Sequence, residues 1–537
     1  MKAQLVANEI LQDIDFLFAS TVCRQFGEQE SMPLSLFLAS CMALSRKGHI
    51  CFPFNKIPSL LFSQESELKS EFLTQFPSSY SLLPNTIIDS VNSRVLTNVK
   101  PALHFNGSIY LHKNWIYECQ LINQLNRLKN RENVPLITQA NPKFNEKQLQ
   151  AFELALKEQL VIISGGPGCG KTFVAAQIIE QLMSHEKLKV AVAAPTGKAV
   201  ENIRSALSSV ENELFEFSTL HKLLKIKRVN IDLETPTFID ADIVIVDECS
   251  MIDLKVFTKL LSSIHPCTKL ILLGDPNQLP PVEAGTIFHD LCQLDSIAHV
   301  HLDICHRVES IEVLDLAKSV IECAPTKTID LLLNNSMKSA KFFTDESFHE
   351  SRLEDYAMSF ANLEYKENPA ILEKTFLKHK VLCSHNLGKE GAHYINYQVA
   401  ERIEALSDKP YIVHPILVTK NCPRLSIMNG SQGVWIKEQC HGNDKAIFFI
   451  DGEYITYPIE LIESFDLSYA MTIHKSQGSE YENVSIILSN DLSNFGKEAL
   501  YTGITRCRFS VEIYCSKETL LKTLATSSLK ISQVSRP

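Results

Sequence analysis

Gly165-Gly166-Pro167-Gly168-Cys169-Gly170-Lys171-Thr172 reads G-x-x-x-x-G-K-T, and it stands between an apolar run and a segment with helical spacing. Leu160-Val161-Ile162-Ile163-Ser164 supplies the strand pattern, and Phe173 to Ile179 continues as a helix. That context is what a P-loop requires. Glycines let backbone N–H groups turn inward around a β-phosphate, and the helix N-terminus adds a positive dipole end for the same anion. Lys171 is then expected to bridge the β- and γ-phosphates and Thr172 to hold Mg²⁺ through its hydroxyl, so ATP and Mg²⁺ are the expected ligands.

Working outward, a chain of 537 residues has room for several domains. Its apolar runs are strand-length and end at acids, and Met1-Lys2-Ala3-Gln4 opens no signal-peptide core. Fifteen cysteines include no C-x-x-C pair, and several, such as Cys41, Cys383 and Cys515, sit inside apolar runs as small hydrophobes. A reduced, cytoplasmic protein is the expectation. The net charge of −10 gives no global attraction to nucleic acid, which leaves any such site to local loops.

Residues 1 to about 135 carry no catalytic motif and read as mainly helical. Leu34 to Leu44 is apolar almost throughout, so its helix is expected to be buried on most sides. Lys47 to Phe54 reads as a turn into a short extended segment, and Ser108 to His112 as a strand before a helix through Leu128. The charged run Arg127 to Glu132 and Asn133-Val134-Pro135 mark a boundary.

From Phe144 a helix leads into the P-loop strand. Gln148 on it is a candidate for reading the adenine edge, because an amide donates and accepts at once; by spacing alone it is an exposed helix glutamine. Val190 to Ala194 is a second buried strand ending in Pro195-Thr196-Gly197-Lys198, a polar loop where ligands of α/β sheets bind. Ile243-Val244-Ile245-Val246 ends in Asp247 and Glu248, the first placed for the Mg²⁺ shell and the second to orient or deprotonate the attacking water. Lys269 to Leu273 opens onto Gly274-Asp275-Pro276-Asn277-Gln278, where Gln278 can sense the γ-phosphate.

The order of these loops resembles a superfamily 1 helicase, and their wording resembles the RecD family of its 1B branch. Ser218 to Leu224, Val246 to Asp253, Gly274 to Leu279, Val282 to Gly285, Ile473 to Glu480 and Leu500 to Arg508 carry the likeness across residues 144 to 508. The resemblance implies that Arg307 and Arg506 face the triphosphate across a cleft between two motor domains. It implies that Pro195, Thr196, Gly197, Lys198, Thr219, His221, Thr472, His474, Lys475 and Gln477 meet DNA, and that Gly478 and Glu480 lie near the nucleotide. Cys169, Gly503 and Cys507 stand where the family more often has threonine or alanine.

Gly48 to Pro53 and Ile109 to Leu111 are similar to the docking domain of RecD chains that work in exonuclease V, the RecBCD complex, and free-standing members carry a longer N-terminal extension. The expected fold is therefore α/β: an N-terminal helical docking domain (1–135), a first RecA-like parallel-sheet motor domain (136–330), a second (331–402 and 464–537), and a small SH3-like β insertion (403–463). From Glu401 to Ile462 the pattern does change to short β segments with turn signals at Asn429-Gly430 and Asp451-Gly452. The expected activity is ATP-dependent 5′→3′ translocation on single-stranded DNA and unwinding from duplex ends, beside RecB-like and RecC-like subunits and with no membrane contact. A free-standing helicase and a subunit whose ATP site is regulatory are the competing readings.

Overall fold

The computed structural model describes all residues except 63–64, 95–98, 130–143, 185–186, 227–236, 306–309, 323–324, 334–336, 345–349, 362, 364–367, 426, 440–442, 451–452, 490–495 and 535–537. The expected boundary at Asn133 to Pro135, the turn at Asp451-Gly452 and the candidate Arg307 lie outside the described residues.

The N-terminal part is less purely helical than its sequence suggests. Helices Asp13–Phe26 and Met32–Arg46 pack against each other, and the second is buried along nearly its whole length, as its apolar run requires. Beside them β1 (Cys51–Pro53), β2 (Ile88–Ser90), β3 (Ala102–Phe105) and β4 (Ser108–Leu111) form a sheet of order β1-β4-β3-β2. Each strand is only three or four residues long, too short for a period-2 pattern to declare itself in sequence. Helix His112–Lys129 then packs on helix Leu254–Ser263, joining this part to the next.

The first motor sheet is built from β5 (Leu160–Gly165), β6 (Val190–Ala194), β7 (Phe215–Thr219), β8 (Ile243–Val246), β9 (Lys269–Gly274) and β10 (Ala298–Leu302), all parallel, in the order β10-β5-β9-β8-β6-β7. Most of these strands are buried on both faces, which explains their unbroken apolar runs. Parallel pairing puts the C-terminal ends on one edge, so the loops after β5, β9 and β8 stand side by side and the loops after β6 and β7 lie further along.

The second motor sheet has the order β11-β20-β19-β12-β18, from β11 (Ala340–Phe343), β12 (His379–Cys383), β18 (Ala470–Thr472), β19 (Tyr481–Ile487) and β20 (Cys507–Tyr514), again parallel. Its first strand is Ala340–Phe343; at four residues with mixed polarity, β11 leaves little trace in the sequence. Between β12 and β18 lies an antiparallel sheet, order β16-β15-β14-β13-β17, made of β13 (Tyr411–Val418), β14 (Gln432–Glu438), β15 (Lys445–Ile450), β16 (Glu453–Pro458) and β17 (Phe465–Leu467). The β insertion is present, and among the described residues its pairings form an open sheet with no pairing that closes it into a barrel.

After the last helix, Lys517–Ala525, the chain leaves the second motor domain, where it was expected to end, and runs back over the other two. Glu498 of the second domain accepts from the Ser527 hydroxyl and the Ser528 amide, both at 2.7 Å. Thr286 and Asp290 of the first motor domain hold the Lys530 carbonyl and the Ser532 hydroxyl. Ile531 then exchanges backbone bonds with the N-terminal part, where its carbonyl accepts from the Ile50 N–H and its N–H donates to His49 Nδ1. Burial pushes His49 down to about 4, which keeps it a neutral acceptor. Gln533 donates its N–H to Glu118, which is fully buried and also bonded by Arg94 at 2.7 Å and by the Tyr110 hydroxyl. Among the described residues no helix is long and apolar enough to cross a membrane.

Candidate functional site

The P-loop bends where its glycines allow it. Gly168 and Gly170 have φ of 74° and 84°, which an L side chain adopts only under strain. A Cβ on Gly165 would stand 2.6 Å from the Leu302 carbonyl oxygen, so the neighbouring strand β10 dictates that residue independently. Gly170 leaves the N-terminus of helix Lys171–Met183 without a side-chain cap, so its first N–H groups stay available for an anion. The Lys171 ammonium donates to the Gly165 and Gly166 carbonyls at 2.7 and 2.9 Å.

Gln148 is buried at 4% exposure, not an exposed helix glutamine. Its Oε1 accepts from the Asn145 N–H in a capping box, and its Nε2 lies 2.8 Å from where a Cβ on Gly170 would sit. It therefore stands against the start of the P-loop helix. Cys169 is also buried.

The acids follow β8. Asp247 Oδ1 accepts from the Glu248 N–H at 2.8 Å, and Glu248 is held at φ 53°, which turns the chain sharply out of the strand. Burial pushes both carboxyls above the ordinary range. For Asp247 the Lys171 charge opposes this; for Glu248 the negative charge of Asp247 adds to it while Arg506 and Lys171 oppose it. Two half-buried acids beside one lysine form a site whose chemistry fits a divalent cation, with Thr172 as the hydroxyl partner at the helix start.

The loop after β9 is organised by Asp275, a residue the sequence reading passed over in favour of Gln278. Its carboxylate accepts from the Asn277 N–H at 3.0 Å, lies 3.5 Å from Gln278 Nε2, and accepts from the Tyr501 hydroxyl at 2.9 Å. Tyr501 belongs to the second motor domain, so this bond crosses the cleft. Two more do the same: Leu279 N–H donates to the Thr502 hydroxyl, and Gln477 Nε2 donates to the Leu279 carbonyl. Gln278 Oε1 is buried without a partner among the described residues.

Arg506 reaches this region from the second domain and is 2% exposed. Its Nε and Nη1 donate to the Thr502 and Ser479 carbonyls, while Nη2 has no partner among the described residues. A buried guanidinium nitrogen left unsatisfied costs free energy unless an anion meets it.

The residues expected at DNA divide into groups. Pro195, Thr196, Gly197 and Lys198 are half-buried after β6, where Thr196 caps the helix Gly197–Leu207. Thr219 is half-buried and His221 exposed after β7. In the second domain Lys475 is exposed and pairs with Asp466 at 3.0 Å; His474 is half-buried, and burial lowers its pKa; Thr472 is buried, its hydroxyl accepting from the Lys475 N–H. Gln477 departs from the expectation: it is buried, and its amide is committed to the joint between the motor domains. Gly478 also differs, since its carbonyl accepts from Asn202 at 2.6 Å and a Cβ on it would face Ala199 and Thr196, three strands away from the P-loop. Glu480 is half-buried in the same segment.

Residues 148–284 match the AAA domain family, and residues 467–511 match the UvrD-like helicase C-terminal domain. Over 96% of its length the chain is 27% identical to the RecBCD enzyme subunit RecD of Buchnera aphidicola, covering 97% of that protein. The similarity to RecD subunits runs along nearly the whole chain. The ATP-dependent RecD2 DNA helicase of Deinococcus radiodurans is 25% identical over 68% of this chain, which covers 48% of that helicase. A solved Pif1 helicase from Bacteroides, in complex with ADP-AlF3 and ssDNA, aligns with 73% of this chain and 95% of its own at 16% identity and a TM-score of 0.42.

Proposed function

We propose that this chain is an ATP-dependent DNA helicase that moves 5′→3′ on single-stranded DNA as the RecD-like subunit of an exonuclease V (RecBCD) complex in double-strand-break repair. The observation that carries the reading is the convergence on one cleft of Lys171, Asp247, Glu248 and Gln278 from the first motor domain with Arg506 and Tyr501 from the second. The near-complete mutual coverage with a RecD subunit supports the subunit reading.

In this reading Lys171 exchanges its loop carbonyls for the β- and γ-phosphates of ATP, and the uncapped helix N-terminus holds the same charge. Gln148 stands at the adenine edge. Thr172 and Asp247 would hold Mg²⁺, which would supply charge neutralisation at the phosphates. Glu248 takes the proton of the attacking water; burial beside Asp247 raises its basicity, which suits that role. Arg506, and by family likeness Arg307, neutralise charge on the transferring phosphoryl group, and the free Nη2 of Arg506 is the donor available for it.

Gln278 and Asp275 report the γ-phosphate to Tyr501, so hydrolysis changes the bonds that hold the cleft closed. The loops at Thr196, Thr219, His221, His474 and Lys475 then grip the DNA backbone alternately, with Gln477 and Gly478 transmitting the movement rather than touching the strand.

The deciding experiment measures ATPase with and without single-stranded DNA for the wild type and Lys171→Gln, then unwinding of 5′-tailed and 3′-tailed duplexes after co-purification with RecB-like and RecC-like subunits. DNA-stimulated ATPase that the substitution abolishes, with preference for the 5′ tail, is expected. Equal rates in the two proteins remove the motor, and a processive monomer removes the complex.

A further inference from the structure

Three cysteines from three separate segments line one cavity of about 220 Å³ on the side of the P-loop that faces the second motor domain. Cys169 comes from the P-loop, Cys305 from the segment after β10, and Cys507 from the start of β20. The cavity therefore collects thiols that the nucleotide chemistry does not use.

Cys169 and Cys305 both line this cavity, and Cys305 is near enough to be the leading influence that holds the proton on the Cys169 thiol. Cys305 Sγ also lies 3.2 Å from the Pro167 carbonyl oxygen, inside the same loop. Cys507, by contrast, turns its sulfur toward the Glu482 carbonyl at 3.7 Å. Cys169 is buried, and the neighbouring Cys305 thiol, followed by burial, holds its thiol far above the ordinary range. Cys305 is half-buried and opens on the cavity. The pair thus has an accessible member and a sheltered one, the arrangement in which one sulfur is oxidised and the other resolves it.

We propose that Cys169 and Cys305 form a reversible disulfide in the presence of a hydroperoxide, and that this bond stops ATP turnover by tying the P-loop to the segment after β10. The Cys305 thiolate attacks one oxygen of hydrogen peroxide; the O–O bond breaks, and the departing hydroxide takes up a proton as water. The sulfenic acid so formed is attacked by the Cys169 sulfur, which gives up its proton. The S–S bond forms, the S–O bond breaks, and the second oxygen leaves as water. Two thiols lose two electrons and one peroxide is reduced to two waters. The P-loop then loses the freedom it needs in order to wrap a phosphate, because Cys169 supplies one of its N–H groups and lies two residues before Lys171.

The effect on turnover rests on the ATPase reading above; the bond itself does not. The full chain is treated with hydrogen peroxide, digested without reduction and mapped by mass spectrometry, and DNA-stimulated ATPase is followed in parallel. A Cys169–Cys305 linked peptide is expected, with ATPase down by at least about tenfold and restored by dithiothreitol. Cys305→Ala is expected to match the untreated wild type and to lose less than about twofold after peroxide. Cys267→Ser, at an exposed thiol, is expected to remain as sensitive as the wild type. The proposal is overturned if no linked peptide forms at inactivating peroxide, if the peptide forms without loss of ATPase, or if Cys305→Ala is inactivated like the wild type. If Cys305→Ala does not fold, Cys305→Ser takes its place and the wild-type peptide map still decides the bond. A chain without DNA-stimulated ATPase would instead refute the motor, while leaving the peptide map readable.

Discussion

Replacing Arg506 by glutamine separates the charge of this side chain from its structural role. Two of its nitrogens donate to carbonyls of its own domain, Thr502 and Ser479, and Nη2 is left for the cleft. A full charge about 4 Å from a phosphoryl oxygen, at an effective dielectric of about 20, contributes about 4 kcal/mol. If that interaction strengthens in the transition state, its loss lowers kcat by about 10³, the lower end of the 10³–10⁵ range for such arginines. The two carbonyl bonds contribute about 1 kcal/mol each and act on stability rather than rate. Arg506 also opposes the rise in the Glu248 pKa, so its removal pushes that carboxyl higher still. A proton acceptor must be ionised to work, so the acid limb of the kcat–pH profile moves to higher pH. Lysine at this position keeps the charge without the fork and is expected to recover part of the rate. The assay is steady-state ATPase at saturating single-stranded DNA from pH 5 to 9, with a melting curve to confirm the fold. A kcat within about tenfold of wild type, together with an unmoved acid limb, refutes the assignment of Arg506 to the cleft.

Two other perturbations follow from burial. Lys380 is buried, donates to the Ser468 carbonyl, and is pushed from 10.5 down to about 7 by desolvation. Between pH 7 and 10.5 the unfolded chain binds more protons at this residue than the folded one, so stability rises with pH at up to about 1.4 kcal/mol per unit. Lys380→Met is expected to remove that slope and to relieve a cost on the order of 4 kcal/mol at neutral pH, offset by about 1–3 kcal/mol for the orphaned carbonyl. Hydrogen exchange of β12 amides at pH 7 and 9 measures both, and coincident slopes would sink the argument. Ending the chain after Leu529 removes the Gln533 amide from buried Glu118 and the Ser532 hydroxyl from Asp290, a loss of about 2–4 kcal/mol. The expected result is earlier melting of the N-terminal part, read by exchange in β1 and β4; unchanged protection there would count against the strap.

The P-loop and the Asp247–Glu248 pair were readable because a short apolar run followed by glycine or acid prescribes its own backbone, whatever lies around it. Even there the surroundings added something local pattern does not carry. The Leu302 carbonyl 2.6 Å from a Cβ on Gly165 forbids a side chain from the neighbouring strand. Asp275 was passed over because its main partner, Tyr501, is 226 residues away. Gln477 read as a DNA contact because polar loop residues look alike until the facing domain is known; the Leu279 carbonyl takes its amide instead. The strand Ala340–Phe343 and the backbone bonds of Ile531 depend on partners from distant segments, which no window of neighbouring residues contains.

The path of residues 527–534 limits how the motor can move. A body attached at one point can turn about three axes, while one attached at two separated points can turn only about the line through them. Besides the hydrogen bonds across the cleft, the second motor domain is tied to the rest through the chain that follows β10 and again through the Glu498-anchored tail that reaches Glu118. Any opening of the cleft that breaks the bonds across it but keeps both of these ties is thereby confined to a single arc. Whatever the N-terminal part is fastened to becomes the frame against which that arc is measured.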